Sequence, residues 1–173
     1  MNAREKLKEG NRLYLAEGDG ALRERTAREG QTPYAIVVCC SDSRVIPEKI
    51  FHADIGDLFV IRVAGNVLDR HQLGSIEYAA EHLHCPLVLM LGHTGCGAVA
   101  AALSGHAEGY VSLITDDIRR AIGMETDPLK ACRANVLHGA ETIREAFRDR
   151  PALKPLEIAC AVYDVASGAV EWL

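Results

Sequence analysis

Three short apolar runs, rich in β-branched residues, constrain the fold of this chain more than any other feature. They are YAIVVCC (34–40), DLFVIRV (57–63) and PLVLML (86–91). Uninterrupted runs of this kind are typical of strands that are buried on both faces, as in parallel sheets. Helical patterns follow them, at about 72–84, 98–103, 112–122 and 127–148. The alternation predicts an α/β fold with a central, mostly parallel β-sheet flanked by helices.

The two ends of the chain add further elements. Residues 2–17 and 20–28 predict two N-terminal helices, and residues 156–164 and 169–173 predict two closing strands. Prolines at 151 and 155 end the helical region. The 173 residues contain no internal repeat, low-complexity segment or linker, and this length suits one domain.

Charge and hydropathy exclude several classes of function. The formal net charge is −5 and no basic cluster is present, which argues against nucleic acid or an anionic membrane surface as a partner. The N-terminus lacks the uninterrupted apolar core of a signal peptide, and no stretch reaches the ~20 apolar residues of a transmembrane helix. We therefore expect a cytoplasmic protein. Its six cysteines are then expected as buried residues, metal ligands or catalytic thiols rather than disulfides.

Metal-capable side chains follow two of the three buried strands. Cys40 ends the first strand, and His93 and Cys96 follow the third. Ligand sites in parallel α/β sheets form beyond the carboxyl ends of the strands. Two thiolates and one imidazole suit zinc, and three protein ligands leave a fourth position for water. By spacing alone, a metal site and buried structural cysteines explain these residues equally well.

Asp42 and Arg44 lie directly after the first of these candidate ligands. They can form a bidentate pair that keeps Asp42 ionised and oriented as a hydrogen-bond acceptor beside a metal. Two simpler interpretations remain open: a loop salt bridge, or Asp42 as the N-cap of a helix that opens around Pro47-Glu48.

Several motifs in register point to one family. The segments CSDSR (40–44), GDLF (56–59), AGN (64–66), GSIEY (74–78) and GHTGCG (92–97) resemble the β-class carbonic anhydrases in order and spacing. The resemblance is strong over 31–104 and continues more weakly through 135–136 and 163–168. It implies a single domain over 1–173, made of an N-terminal helical arm (1–30), a zinc-site core (31–104), and helices with C-terminal strands (105–173).

The resemblance also implies an activity and its machinery. Cys40, His93 and Cys96 match the ligands of one Zn²⁺ per subunit, and Asp42 with Arg44 matches the catalytic dyad. The implied reaction is the reversible hydration of carbon dioxide to bicarbonate and a proton, by attack of a zinc-bound hydroxide. Two thiolate ligands reduce the charge of the metal, so activity is expected to rise with pH.

Four further residues match positions of the substrate pocket in this family: Gln31, Phe59, Ala64 and Tyr78. In the family this pocket lies at a dimer interface and borrows side chains from the neighbouring subunit. The resemblance therefore implies a homodimer or a dimer of dimers, with N-terminal helices that embrace the partner. Carbon dioxide or bicarbonate is the implied small-molecule substrate, and no nucleic-acid or membrane partner is expected.

The sequence departs from the family at a few positions. Val37 stands where a bacterial branch has the tryptophan of a regulatory bicarbonate pocket, so we expect no such pocket here. The other departures, at Ile55, Val63 and Gly139, concern subunit packing more than chemistry. Cys39 should point away from Cys40 by strand alternation and belong to the core.

Two alternatives to the carbonic anhydrase function remain. Relatives of this fold hydrolyse carbon disulfide or carbonyl sulfide with the same ligands. A non-catalytic, structural zinc protein would normally have a fourth Cys or His ligand. The sequence offers none at a natural spacing, although Asp42 itself could close the site.

Overall fold

A five-stranded sheet forms the centre of the protein in the computed structural model, which describes residues 1–153 and 156–173. Its strands are β1 (Ala35–Cys39), β2 (Leu58–Arg62), β3 (Leu87–His93), β4 (Glu157–Tyr163) and β5 (Val170–Trp172). The spatial order is β2-β1-β3-β4-β5, and only β5 pairs antiparallel with its neighbour. The predicted mostly parallel α/β fold is confirmed.

Seven helices accompany the sheet in the described part of the chain. They are α1 (Ala3–Ala16), α2 (Gly20–Glu29), α3 (Pro47–Ile50), α4 (Arg70–His82), α5 (Gly97–Ser104), α6 (Val111–Ile122) and α7 (Pro128–Ala146). The predicted boundaries agree to within about two residues, the usual scatter at helix ends. Pro151 starts a short 3₁₀ turn, whereas Pro155 lies outside the described residues.

The chain divides into two compact units, Met1–Gln31 and Thr32–Leu173. In the first unit, Asn2 and Glu5 form a capping box that starts α1, and neither α1 nor α2 buries a side chain. Leu7 and Leu15 are 76% and 62% exposed. The embrace of a partner subunit, which would cover these side chains, stays a prediction, as does the division of 1–173 into three segments.

The second unit has apolar clusters on both faces of its sheet. Ile36 and Val38 of β1 belong to a cluster that contains residues of α4 and α7, whereas Val37 and Cys39 belong to a cluster on the other face. Every residue of β1 is buried, because β1 lies between β2 and β3 and has side chains packed on both sides. Cys39 therefore belongs to the core, as predicted.

The register of β1 and β3 determines where their carboxyl ends lie. Cys39 is paired with Leu91, so Cys40 and His93 follow at the same edge of the sheet. On the other side of β1, Arg62 is paired with Cys39 and ends β2 at that edge too. Among the helices of the described residues, none is long and apolar enough to cross a membrane.

Candidate metal centre

Cys40, His93 and Cys96 converge at this edge of the sheet. Their potential ligand atoms all lie within 4.8 Å of one another, and all three residues are buried. The sulfur atoms of Cys40 and Cys96 are 4.0 Å apart. Within the chain as described, no other Cys, His, Asp or Glu joins this group.

The imidazole of His93 is oriented for ligation. Its Nδ1 lies 3.0 Å from the carbonyl oxygen of Thr94, a contact that requires a proton on Nδ1. Its Nε2 is buried and has no hydrogen-bond partner in the described structure. Buried polar atoms without a partner are rare in folded proteins, so an unprotonated Nε2 beside two sulfurs fits a bound cation. This donor set suits zinc.

A tight turn brings His93 and Cys96 to the same point. Gly95 has a φ of +66°, a conformation that glycine adopts without strain, and Cys96 is the N-cap of α5. The backbone N–H of Thr94 donates to the carbonyl of Tyr163 (2.9 Å), and the Thr94 hydroxyl accepts from the N–H of Val165 (3.1 Å). The turn is therefore held by the last residue of β4 and by the loop that follows it.

The two sulfurs differ in their surroundings. The hydrogen bond with Cys96 lowers the pKa of the Cys40 thiol, and the backbone N–H of Gly65, which donates to Sγ at 3.2 Å, lowers it further. The same neighbour, Cys40, raises the pKa of the Cys96 thiol, and burial adds to that rise. A bound cation would favour the thiolate form of both residues, because cysteine binds a metal as the thiolate.

Cys39 behaves differently from these ligand candidates. Burial raises the pKa of its thiol to about 12. The other cysteines, at 85, 132 and 160, are also free and buried. Burial likewise raises the pKa of the Cys132 thiol to about 11. These four cysteines belong to the hydrophobic core, as the sequence predicts for Cys39.

Asp42 and Arg44 form the expected bidentate pair. Arg44 donates from Nε to Oδ1 (3.0 Å) and from Nη2 to Oδ2 (2.7 Å), and its backbone N–H also donates to Oδ1 (3.0 Å). These bonds hold the pKa of the Asp42 carboxyl well below its usual range. Arg44 also donates to the carbonyl of Gly95 at 3.2 Å, which links the dyad to the turn that carries Cys96.

The alternative role of Asp42 as a helix N-cap is wrong. Helix α3 starts at Pro47, its N-cap residue is Ile46, and no side chain caps it. Proline at the first position of a helix needs no hydrogen bond for its nitrogen, so one N-terminal donor is already removed. The Asp42 carboxylate instead accepts three hydrogen bonds from Arg44.

Arg62 is a site residue that the sequence argument did not identify. It donates to the backbone carbonyls of Cys40 (3.2 Å) and Asp42 (2.6 Å), and so holds the loop that carries the Cys40 thiol and the Asp42–Arg44 pair. The sequence contains one signal that could have identified it. Apart from the aspartate that starts the run, Arg62 is the only charged residue in the second apolar run, 57–63. A charge at the carboxyl end of such a strand suggests a polar contact at the site edge.

The four predicted pocket residues are placed differently from one another. Ala64 begins the short turn whose next residue, Gly65, contacts Cys40. Phe59 is paired with Ile36, four residues before Cys40 and so about 13 Å away along the strand. Tyr78 packs beside Phe59, with ring centres 6.3 Å apart. Gln31 is exposed at the end of the first compact unit.

Comparison with known proteins identifies the family. A family model described as carbonic anhydrase matches residues 35–170. The solved structure of the β-carbonic anhydrase CafA of Aspergillus fumigatus superposes with a TM-score of 0.85, at 27% identity, over 99% of this chain and 91% of that one. The chain belongs to the β-carbonic anhydrase family.

Curated relatives of this β-carbonic anhydrase give the same result. A carbonic anhydrase of Mycolicibacterium smegmatis is 35% identical over 95% of this chain and 89% of its own length. Carbonic anhydrase 2 of Mycobacterium tuberculosis is 44% identical, but that match spans only 60% of this chain and 52% of the relative. A structure described as one of two tetrameric β-carbonic anhydrases from Sordaria macrospora has a TM-score of 0.82 at 26% identity, covering all of this chain and 98% of that one. The resemblance found in the sequence is confirmed.

Proposed function

We propose that this β-carbonic anhydrase uses one Zn²⁺ per subunit to catalyse the reversible hydration of carbon dioxide to bicarbonate and a proton. The observation that carries the proposal is the buried convergence of Cys40, His93 and Cys96 beside a carboxylate that Arg44 keeps ionised. Zinc, when bound, lowers the pKa of water and so supplies a nucleophile near neutral pH. The group has three members, which favours an open catalytic site over a closed structural one.

In this proposal the protein supplies the metal ligands, a hydrogen-bond acceptor for the attacking group, and neighbouring groups that orient both. His93 presents Nε2 because its Nδ1 is engaged by the Thr94 carbonyl. Asp42, as an ionised acceptor, can take a hydrogen bond from the attacking group and direct its lone pair at the carbon of the substrate. Arg44 prevents protonation of Asp42 and fixes its carboxylate plane.

The pocket for carbon dioxide is proposed to form between two subunits. Phe59 and Tyr78 pack together away from the metal centre of their own chain, so a role in the pocket requires a second copy. Ala64 and Gln31 complete the proposed lining, with Gln31 as donor to the oxygen on which charge develops. A homodimer or dimer of dimers satisfies this requirement. A cytoplasmic setting, in which free cysteines stay reduced, belongs to the same proposal.

Mixed assemblies should reveal whether the pocket is shared. We expect activity from co-expressed Phe59→Ala and Cys96→Ser chains, carrying different affinity tags, to exceed the average of the two parent variants. In a mixed dimer, one metal centre keeps its own Cys96 and receives Phe59 from its partner, so about half of the sites in the doubly purified protein should be intact. Activity is measured on doubly purified protein.

The comparison is with the two homodimeric variants at the same total concentration. If the mixed protein is no more active than their average, Phe59 does not act in the site of a second subunit, and the shared pocket is refuted.

The rate of carbon dioxide hydration should rise from mildly acidic to alkaline pH. Two thiolates offset the charge of a dication, so hydroxide is less favoured than at a three-imidazole site. Asp42 does not contribute to this pH dependence. Arg44 holds the pKa of the Asp42 carboxyl below its usual value, so the carboxylate is ionised throughout this pH range. Stopped-flow hydration assays across pH, with zinc analysis of the same samples, test this prediction.

A flat profile would contradict the charge argument, and an active preparation without zinc would end the proposal itself. Carbon disulfide and carbonyl sulfide are assayed beside carbon dioxide. Faster turnover of either sulfur compound would assign the same metal centre to the alternative hydrolase function.

A further inference from the structure

The segment after β2 contacts the metal centre through its backbone. Gly65 has a φ of +69° and Asn66 a φ of +47°, two successive residues in the left-handed region. This turn directs the Gly65 N–H at the sulfur of Cys40, at 3.2 Å. A hydrogen bond from a backbone amide to a thiolate ligand is a contact outside the ligand shell that tunes and orients the ligand.

The turn at Gly65 is confined on its other sides. A Cβ at this position would lie 2.8 Å from Cδ1 of Ile118 and 2.9 Å from Cβ of Ala98, so no larger residue fits without displacement. Asn66 is not glycine, and its positive φ carries a conformational cost that surrounding contacts must offset. The geometry of this turn therefore depends on what holds it.

Helix α7 supplies one such contact. The Asn135 side chain, on a residue that is 5% exposed, donates from Nδ2 to the carbonyl of Gly65 at 2.8 Å. This bond joins positions 70 residues apart in the sequence. The same helix also reaches the other ligand strand, because the thiol of Cys132 donates to the carbonyl of His93 at 3.3 Å.

We propose that Asn135 is a positioning residue of the metal centre, which fixes the backbone of Gly65 so that the Gly65 N–H stays on the Cys40 sulfur. The inference rests on the proposed function, because it assumes a metal at Cys40. In the described structure, the Asn135 side chain donates to the carbonyl of Gly65 and makes no hydrogen bond to Cys40, His93 or Cys96. It acts through one residue, Gly65, whose carbonyl it binds and whose N–H donates to the Cys40 sulfur.

The surroundings of Asn135 determine which substitution best tests its positioning role. Asn135 lines a cavity of about 160 Å³ together with Asn66, whose buried Nδ2 has no partner in the described structure. Such a cavity has room for water, which could replace the lost donor if the side chain were shortened. Asn135→Leu removes the donor, keeps the branched shape of the side chain and, being larger, excludes that water.

The test compares zinc retention in the loaded protein. We expect Asn135→Leu to lose zinc to a chelator about 10- to 100-fold faster than wild type, the usual scale for contacts outside the ligand shell. In cobalt-substituted protein, the sulfur-to-metal charge-transfer band should shift, because the hydrogen bond to the Cys40 sulfur is altered. A role in stability alone would leave that band in place.

Thr115→Val is the matched control. Thr115 is fully buried, and among the described residues its hydroxyl donates only to carbonyls at the start of its own helix, at Val111 and Ser112. Its removal should lower stability without changing zinc loss or the cobalt spectrum. If Asn135→Leu fails to fold, Asn135→Ala takes its place, with an expected effect near the lower end of the same range.

The outcomes separate the two claims. If wild type holds zinc and the Asn135 variant loses zinc no faster than the Thr115 control, only the positioning role is overturned. Wild type that holds no zinc overturns the proposed function and this inference together.

Discussion

Asp42→Asn is expected to lower the rate of carbon dioxide hydration at least about 100-fold while zinc stays bound, a typical scale for a positioned proton acceptor. Asparagine has nearly the shape of aspartate but carries no charge, and its amide nitrogen cannot accept a bond from Arg44. The carboxylate now accepts three bonds from Arg44, two from the guanidinium and one from the backbone. The substitution therefore removes both the acceptor charge and the pair that orients it.

Asp127→Asn serves as the control for this experiment. Asp127 is the N-cap of α7 and accepts from the N–H groups of Leu129 and Lys130, a role that asparagine fills about equally well. Its activity and zinc content should match those of wild type. If Asp42→Asn keeps its zinc and hydrates carbon dioxide at the wild-type rate, Asp42 has no catalytic role. Loss of zinc in Asp42→Asn would instead make it a residue that supports the metal.

The convergence of the candidate ligands could be predicted because it depends on local pattern and one general rule. The runs at 34–40 and 86–91 marked two buried strands, and parallel strands end at a common edge. That rule was sufficient to bring Cys40 and His93 together, although the sequence alone did not show that β1 and β3 are neighbours. The Asp42–Arg44 pair was predictable for a similar reason, since its members are two residues apart.

The contacts that hold the ligands in place could not be predicted in the same way. Arg62 reaches the Cys40 carbonyl because β1 and β2 pair in one particular register, and a shift of one residue would turn it to the other face. Asn135 reaches Gly65 only after α7 packs on the sheet. The N-cap role of Asp42, in contrast, could have been rejected from the sequence, because Pro47 starts α3 five residues after Asp42, too far for a cap.

Cys40→Ser is expected to remove most of the bound zinc and, with it, the hydration activity. A serine hydroxyl stays protonated near neutral pH and is a harder, weaker ligand than a thiolate, so only His93 and Cys96 would remain as effective ligands. The hydrogen bond from Gly65 that lowers the pKa of the Cys40 thiol would have no thiolate to stabilise. Zinc per subunit, measured by elemental analysis after gel filtration, gives the result directly.

Cys39→Ser provides a control at the adjacent position. Cys39 is as buried as Cys40 but belongs to the cluster on the opposite face of the sheet. Serine there buries an additional polar group, which should cost about 1–3 kcal/mol of unfolding free energy. Zinc should remain at one equivalent, because no ligand is changed. Loss of zinc from Cys40→Ser but not from Cys39→Ser would show that the metal binds at the face of β1 that carries Cys40. Equal zinc loss in both variants would mean that disruption of the strand, rather than removal of a ligand, explains the result.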